Sequence, residues 1–234
     1  MTLLSIAQEA AEDLGIGEPS VVIGALDEDG RRIRAAAKAA GKHLARRDWP
    51  ELQKEHTFTT AASTESYSLP SDFKRLISNT IWDRTNYWSL RGGTTPIEWQ
   101  IRKSALIATA SLRKRFRIKV SSNSNLFFVD PVPTAAENLV FEYVSTNWCQ
   151  SSGGTGQTQW QADDDTGIID EDLILLEVKW RILSRLGEEY FEQKDESERA
   201  IEHAWAASRG YGMISLSEDP VAIAQVNIPE SGFG

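Results

Sequence analysis

The side chains able to do chemistry in this sequence are few and scattered. His43, His56 and His203 lie far apart in elements of different kinds, and none has a partner at the spacing of a metal site. The lone cysteine, Cys149, follows Trp148 at the end of a strand-like run. A thiolate nucleophile needs an adjacent base, and the sequence sets none beside it. Asp163, Asp164 and Asp165 are the best oxygen-ligand cluster. A calcium loop wants acids at its first, third and fifth positions and glycine at the sixth; counting from Asp163 puts Gly167 fifth, so the pattern fails. Glu98 and Glu142 have the chemistry of a glycosidase acid–base pair, but with 34 acidic residues in the chain such a pair carries little weight. No catalytic, cofactor-binding or metal-binding residue is therefore assigned, and no cofactor is expected.

Charge is more informative than nucleophiles. Residues 102–119 hold seven bases and no acids (Arg102, Lys103, Arg113, Lys114, Arg115, Arg117, Lys119), whereas residues 163–172 hold six acids and no bases. Arg31, Arg34, Lys38 and Lys42 recur at helical spacing and make a basic stripe. Such clusters are commonly solvated faces. In a head-to-tail assembly they could instead meet across a repeated heterologous interface. Arg31, Arg34, Lys38, Lys42, Arg113, Arg115, Asp163, Asp164 and Asp165 are accordingly the candidate subunit-interface residues. A nucleic-acid track along 102–119 is the rival reading, weakened by the lack of interleaved aromatics apart from Phe116.

These residues sit on a chain of 234 residues, 41% apolar and 25% charged, with a net charge of −9. That mixture can bury a core without disulfides or metal. The acidic balance argues against wholesale phosphate neutralisation. One cysteine forms no internal disulfide, which suits a reducing compartment. The N-terminus lacks the basic region of a signal peptide, no run reaches the ~20 apolar residues of a membrane span, and a soluble protein is expected.

The periodicity predicts helices over 3–14, with Thr2 as cap and Gly15 as stop, and over 27–47, with acids first and bases last. Alanines on the second helix (Ala36, Ala37, Ala40) permit close approach of a neighbour. From 55 the period changes. Strands are expected at 57–60 and 66–69, a turn and short helical turn after Leu69, and extended chain over 77–82. A loop follows over 85–97, then a helix over 98–112. Residues 116–129 read as a hairpin turning at Ser121–Asn125, and 138–144 as a strand. Residues 146–181 lead back to helix: 170–187 has apolar groups nearly all round, and 188–209 continues or follows it. The fold class is thus α+β: a helical bundle from the N- and C-terminal helices (1–50 and 168–209) with an inserted antiparallel β domain (51–167). Residues 210–234 contain three acids, no bases and scattered apolar groups. Either they fold back on their own domain or they form an extended arm that orders against a partner.

In that order of elements, LPSDFKRLI (69–77), LFFVDPVP (126–133), LVFEYVSTNWC (139–149) and TQWQADDDTGIIDEDLILLEVKWRI (158–182) resemble the head-to-tail adaptor proteins of tailed bacteriophages. The type is the tail tubular protein A or tail accessory factor of short-tailed phages. The resemblance spans roughly residues 1–209. It implies a structural virion protein at the head–tail junction: a ring of about twelve copies between the portal protein and a downstream tail or nozzle protein, with genomic DNA passing through the lumen without sequence-specific contact. It implies a C-terminal arm reaching the portal, whose apolar residues here are Tyr211, Met213, Ile214, Leu216, Val221, Ile223, Val226, Ile228 and Phe233. It carries over no catalytic motif. A virion-associated peptidoglycan hydrolase and a DNA-binding module remain the alternatives.

Overall fold

The computed structural model describes residues 1–104, 114–121 and 124–208. Helix α1 (Leu3–Asp13) begins where Thr2 Oγ1 accepts the Ser5 N–H, and buries Leu3, Ile6, Ala7, Ala10 and Ala11 along one face. Helix α2 (Glu28–Leu44) starts at Asp27, whose carboxylate accepts from the Gly30 N–H, and ends in Lys42 and His43. Its last carbonyls need partners, and Trp49 supplies one: its indole N–H donates to Leu44 O at 2.9 Å.

After a short 3-10 turn (Pro50–Leu52) come β1 (Gln53–Thr59), β2 (Ser66–Ser68), β3 (Phe73–Leu76), β4 (Trp82–Asp83), β5 (Trp88–Ser89), β6 (Arg91–Gly92) and α3 (Pro96–Ser104). Next are β7 (Arg115–Ser121), β8 (Ser124–Asp130), β9 (Asn138–Ser145), β10 (Cys149–Gln150), β11 (Gly156–Gln157) and β12 (Thr166–Gly167). Helices α4 (Glu171–Leu186) and α5 (Phe191–Ser208) complete the described chain. The class is mixed α+β, with five helices among the described residues. One sheet runs β1-β9-β4-β5, with β3 also on β9; a second runs β2-β8-β7-β6; a small third runs β11-β10-β12. All pairings are antiparallel except β6 with β7.

Burial sorts into two cores. One gathers α1, α2, α4 and α5 around Ile6, Ile33, Leu44, Ile174, Val178 and Ile201. It also takes in Trp148, Cys149 and Trp160, so the segment returning from β9 packs with the helices. The other lies among the strands: Phe116, Phe127, Leu139, Phe141 and Tyr143 are buried there. Phe127 stacks on both Phe116 and Phe141, with ring centroids 5.2 and 5.7 Å apart.

Three local expectations change. Residues 73–76 form a strand, not a helical turn, because Phe73, Arg75 and Leu76 pair with β9 through a bulge and Phe73 stacks on Tyr143. The run 77–82 is broken by a turn at Ser78–Asn79, where Asn79 takes φ +63°. The loop expected over 85–97 contains the short pairings of β5 and β6. The later half of the helix expected over 98–112 lies outside the described residues.

Asp72 ties the β3 end of the sheet to β1 and β9. Its carboxylate accepts from Lys54 (2.9 Å), the Tyr143 hydroxyl (2.9 Å) and the Ser145 hydroxyl (2.7 Å), and Thr146 N–H donates to its carbonyl. Burial alone would push Asp72 up, but these donors together hold it below the ordinary 3.8. A carboxylate depressed in the folded state contributes stability that is fully present above its unfolded value and is lost as pH falls through the folded one. Asp72→Asn is therefore expected to lose more stability at pH 7 than at pH 3, read from urea midpoints at the two values. An equal loss at both would show that the charge does not matter.

Candidate functional site

The basic stripe of α2 is on the surface. Arg31, Arg34, Lys38 and Lys42 are all exposed, opposite the buried Ile33, Ala36, Ala37, Ala40 and Leu44. Arg34 donates to Ile23 O at 2.8 Å and Arg31 to Asp27 O at 3.3 Å, so both guanidinium groups lie against the loop before the helix. Neither bond cancels charge, and among the described residues none of the four makes an ion pair. Arg32, off the stripe, is the one that takes Glu28 and Asp29.

The three aspartates of the triplet differ in their surroundings. Asp165 is 1% exposed, and its carboxylate accepts the backbone N–H groups of Gln161 (2.6 Å) and Ala162 (2.9 Å). Asp163 reaches the loop before α2, accepting from Val22 N–H (3.1 Å) and Ile23 N–H (2.8 Å). Leu3 and Leu4 N–H groups, orphan donors at the start of α1, bond to the carbonyls of Asp165 and Asp163. The Asp163 carboxylate thus pins the loop before α2 and the Asp165 carboxylate closes its own turn, while the two backbone carbonyls hold the start of α1. Asp164 alone of the triplet is exposed.

Three of the six described bases in the 102–119 cluster are paired with acids. Arg102 pairs with Asp130 (2.9 Å), Lys103 with Glu65 (2.9 Å) and Asp130 (3.3 Å), and the mostly buried Lys114 with Glu137. Lys119 sits over the rings of Phe128 (4.3 Å) and Trp99 (4.5 Å), and burial pulls its ammonium below its ordinary value. Arg115, on β7 opposite Asp130, and Arg117 are half-buried; Arg113 lies outside the described residues. The bases are therefore divided between α3 and the start and strand of β7, and half of those described have counter-charges of their own, which weakens the case for a continuous nucleic-acid path. The arm residues Tyr211, Met213, Ile214, Leu216, Val221, Ile223, Val226, Ile228 and Phe233 also lie outside the described residues.

The glutamates considered for acid–base work have local roles. Glu98 Oε2 accepts the Thr95 N–H (2.8 Å) while Thr95 Oγ1 accepts the Glu98 N–H (3.3 Å), a reciprocal cap on α3. The Thr95 backbone bond holds the Glu98 carboxyl below its ordinary value. Glu142 lies on β9, opposite Glu55. His56 stacks among Phe58 and Phe141 and is held down by burial. Cys149 is buried, and burial, with Asp165 nearby, pushes its thiol up to about 12. A neutral, enclosed thiol is a poor nucleophile. Labelling with a water-soluble disulfide reagent at pH 8 is expected to be at least about a hundredfold slower in the native protein than in 6 M guanidinium; comparable rates would refute the enclosure.

One cluster escaped the sequence reading. Glu177, on α4, is 1% exposed in an otherwise apolar stretch. It pairs with Arg181 (2.6 Å) on its own helix and accepts from Ser197 Oγ on α5 (2.9 Å) and Trp180 Nε1 (3.2 Å); His43 Nδ1 on α2 lies 3.0 Å away. Burial pulls Arg181 down while Glu177 raises it. The only signal in the sequence was an acid four residues before an arginine on a helix with no polar face. Beside it, His43, Arg47, Arg199 and His203 line a groove of about 470 Å³ between α2 and α5 together with Asp195, Glu198 and Glu202. Acids and bases are mixed there, and among the described residues no group of three or more His, Cys, Asp or Glu side chains could hold a metal ion. Nor is any described helix long and apolar enough to cross a membrane. In the Glu177 cluster, polar groups join α2, α4 and α5.

The family model described as SU10 adaptor protein covers residues 1–225. No curated protein matches the chain.

Proposed function

The chain belongs to the SU10 adaptor protein family, a phage head-to-tail adaptor family, and from that premise we propose that it forms a ring between portal and tail through which the genome passes. The observation that carries this is the extent of the family match, nearly the whole chain. The ring, its twelve copies, the portal and nozzle contacts and the residence in the virion come from the resemblance described above. The structure supplies a surface consistent with it: an exposed basic helix face free of intramolecular ion pairs among the described residues. The protein acts by contact, not catalysis, on this reading.

The two cores support a division of labour. Residues 1–50 and 168–209 form the bundle, 51–167 the inserted β domain, and 210–234 the arm that engages the portal. Residues 146–167 pass the chain back to the bundle, and Trp148 and Trp160 anchor that passage in the helical core.

Electron microscopy of the purified chain mixed with portal rings tests the proposal. A second ring stacked coaxially on the portal is the expected image; portal rings left bare at saturating concentration would defeat it. Removing residues 211–234 is expected to abolish the stacked ring while leaving the thermal unfolding of the remainder within about 2 °C, because on this reading the arm orders against the portal and not against its own domain. Normal stacking by the truncated chain would refute the arm.

A further inference from the structure

With Asp165 buried and Asp163 bonded to backbone donors of its own subunit, the exposed bases of α2 have a better counterpart elsewhere. They span roughly 16 Å of one helix face, from Arg31 to Lys42 at about 1.5 Å per residue. Charges of one sign set along a face repel each other and favour a partner of opposite sign. The chain offers one such partner on a different helix. Glu188, Glu189, Glu192, Asp195 and Glu196 are all exposed at the start of α5, and the one base among them, Lys194, is paired with Glu198. Acids at a helix N-terminus also favour the helix itself, so their presence alone decides nothing. Phe191 does more: it stands 62% exposed in their midst, stacked on Tyr190, which in turn stacks on Trp180. An exposed aromatic resting on a stack and rimmed by charge has the make-up of an interface anchor. Leu26, 89% exposed just before α2, puts a second bare apolar side chain beside the basic helix. Neither patch covers the other within the subunit.

We propose that the basic face of α2 in one copy docks on the acidic, Phe191-bearing start of α5 in the next copy. The two patches differ, so the contact is heterologous and repeats from copy to copy. This rests on the reading of the chain as a ring-forming adaptor and names the surface that closes the ring. Opposed charge speeds encounter and fixes register, and Phe191 supplies the apolar area that excludes water. Association falls as salt rises, because the charges at such a rim are screened within about 8 Å at physiological ionic strength.

The test uses two full-length variants altered only at exposed positions, Lys38→Glu with Lys42→Glu, and Glu189→Lys with Glu192→Lys, followed by sedimentation with and without portal rings. Each variant alone places like charges face to face and is expected to assemble at least about tenfold more weakly than the parent. An equimolar mixture restores opposite charges at every junction and is expected to regain parental assembly. A second measurement mixes Lys38→Cys with Glu192→Cys chains under oxidised glutathione, which accepts the two electrons, with disulfide-linked pairs expected from the mixture and not from either alone. If the parent assembles while both reversals assemble as well as it does, or the mixture stays as weak as its components, the docking surface is overturned and the ring reading stands. A parent that remains monomeric in both conditions overturns both.

Discussion

Replacing Glu177 by alanine is expected to cost about 3–5 kcal/mol of stability, the usual loss when one partner of a buried ion pair is removed. The reason is the company it keeps. Glu177 is 1% exposed and its carboxylate is met from three helices: Arg181 and Trp180 on α4, Ser197 on α5 and His43 on α2. Truncation leaves the Arg181 guanidinium in a low-dielectric site with no counter-charge, and orphans the Ser197 hydroxyl and Trp180 indole as well. His43 is half in water and loses least. Glu177→Gln keeps an acceptor for Ser197 and Trp180 but not the charge, so it is expected to fall between alanine and the parent. Urea unfolding with an unchanged m-value measures the effect. A loss under about 1 kcal/mol for Glu177→Ala would mean that water replaces the carboxylate without penalty.

The second large effect lies where the return segment meets α2. Trp148 is 2% exposed, packs edge-on against Trp160 with centroids 5.0 Å apart, and donates its indole N–H to Thr158 O at 2.8 Å. Trp148→Ala empties that space and is expected to cost about 3–5 kcal/mol. The same ring explains Gly41. Mid-helix glycine is about 1 kcal/mol worse than alanine, yet a Cβ on Gly41 would lie inside the van der Waals envelope of Trp148 Cζ3. Gly41→Ala is therefore expected to destabilise by about 1–3 kcal/mol through overpacking. Within the Trp148→Ala background the clash is gone, so the same change is expected to stabilise by a few tenths to about 1 kcal/mol. That reversal of sign, read from a four-member set of thermal or urea curves, is specific to the proposed packing. An additive set would exclude it.

Both effects fall in the core shared by α1, α2, α4 and α5, so they should also weaken assembly. They would do so by lowering the folded fraction, whereas the surface charge reversals leave unfolding curves unchanged.

Much of the helical part was legible in the linear order. Thr2, Asp27 and Asp170 each cap the helix they precede, and Gly187, at φ +80°, ends α4 as its position suggested. The alternation of Phe116, Ile118 and Val120 gave β7 and its hairpin. The middle of the chain was harder. Residues 73–76 carry adjacent bases and no clear period, and only pairing with β9 makes them a strand. Short pairings such as β5 and β6 have no local signal, since two residues cannot show a repeat.

The surface divided the same way. Sequence by itself determined that α2 carries a basic face, that the chain lacks an obvious catalytic constellation, and that its segments follow the order of a head-to-tail adaptor. Those depend on local spacing, and helix geometry converts spacing into a face. Only the tertiary structure decided which charges remain for a partner. It bonded Asp163 to the loop before α2, closed Asp165 on its own turn, paired Arg102, Lys103 and Lys114 with Asp130, Glu65 and Glu137, and hid Glu177 among three helices. A charge is neutralised by what lies within a few ångströms of it in space, and for Asp163 and Val22 that neighbour is 141 residues away along the chain.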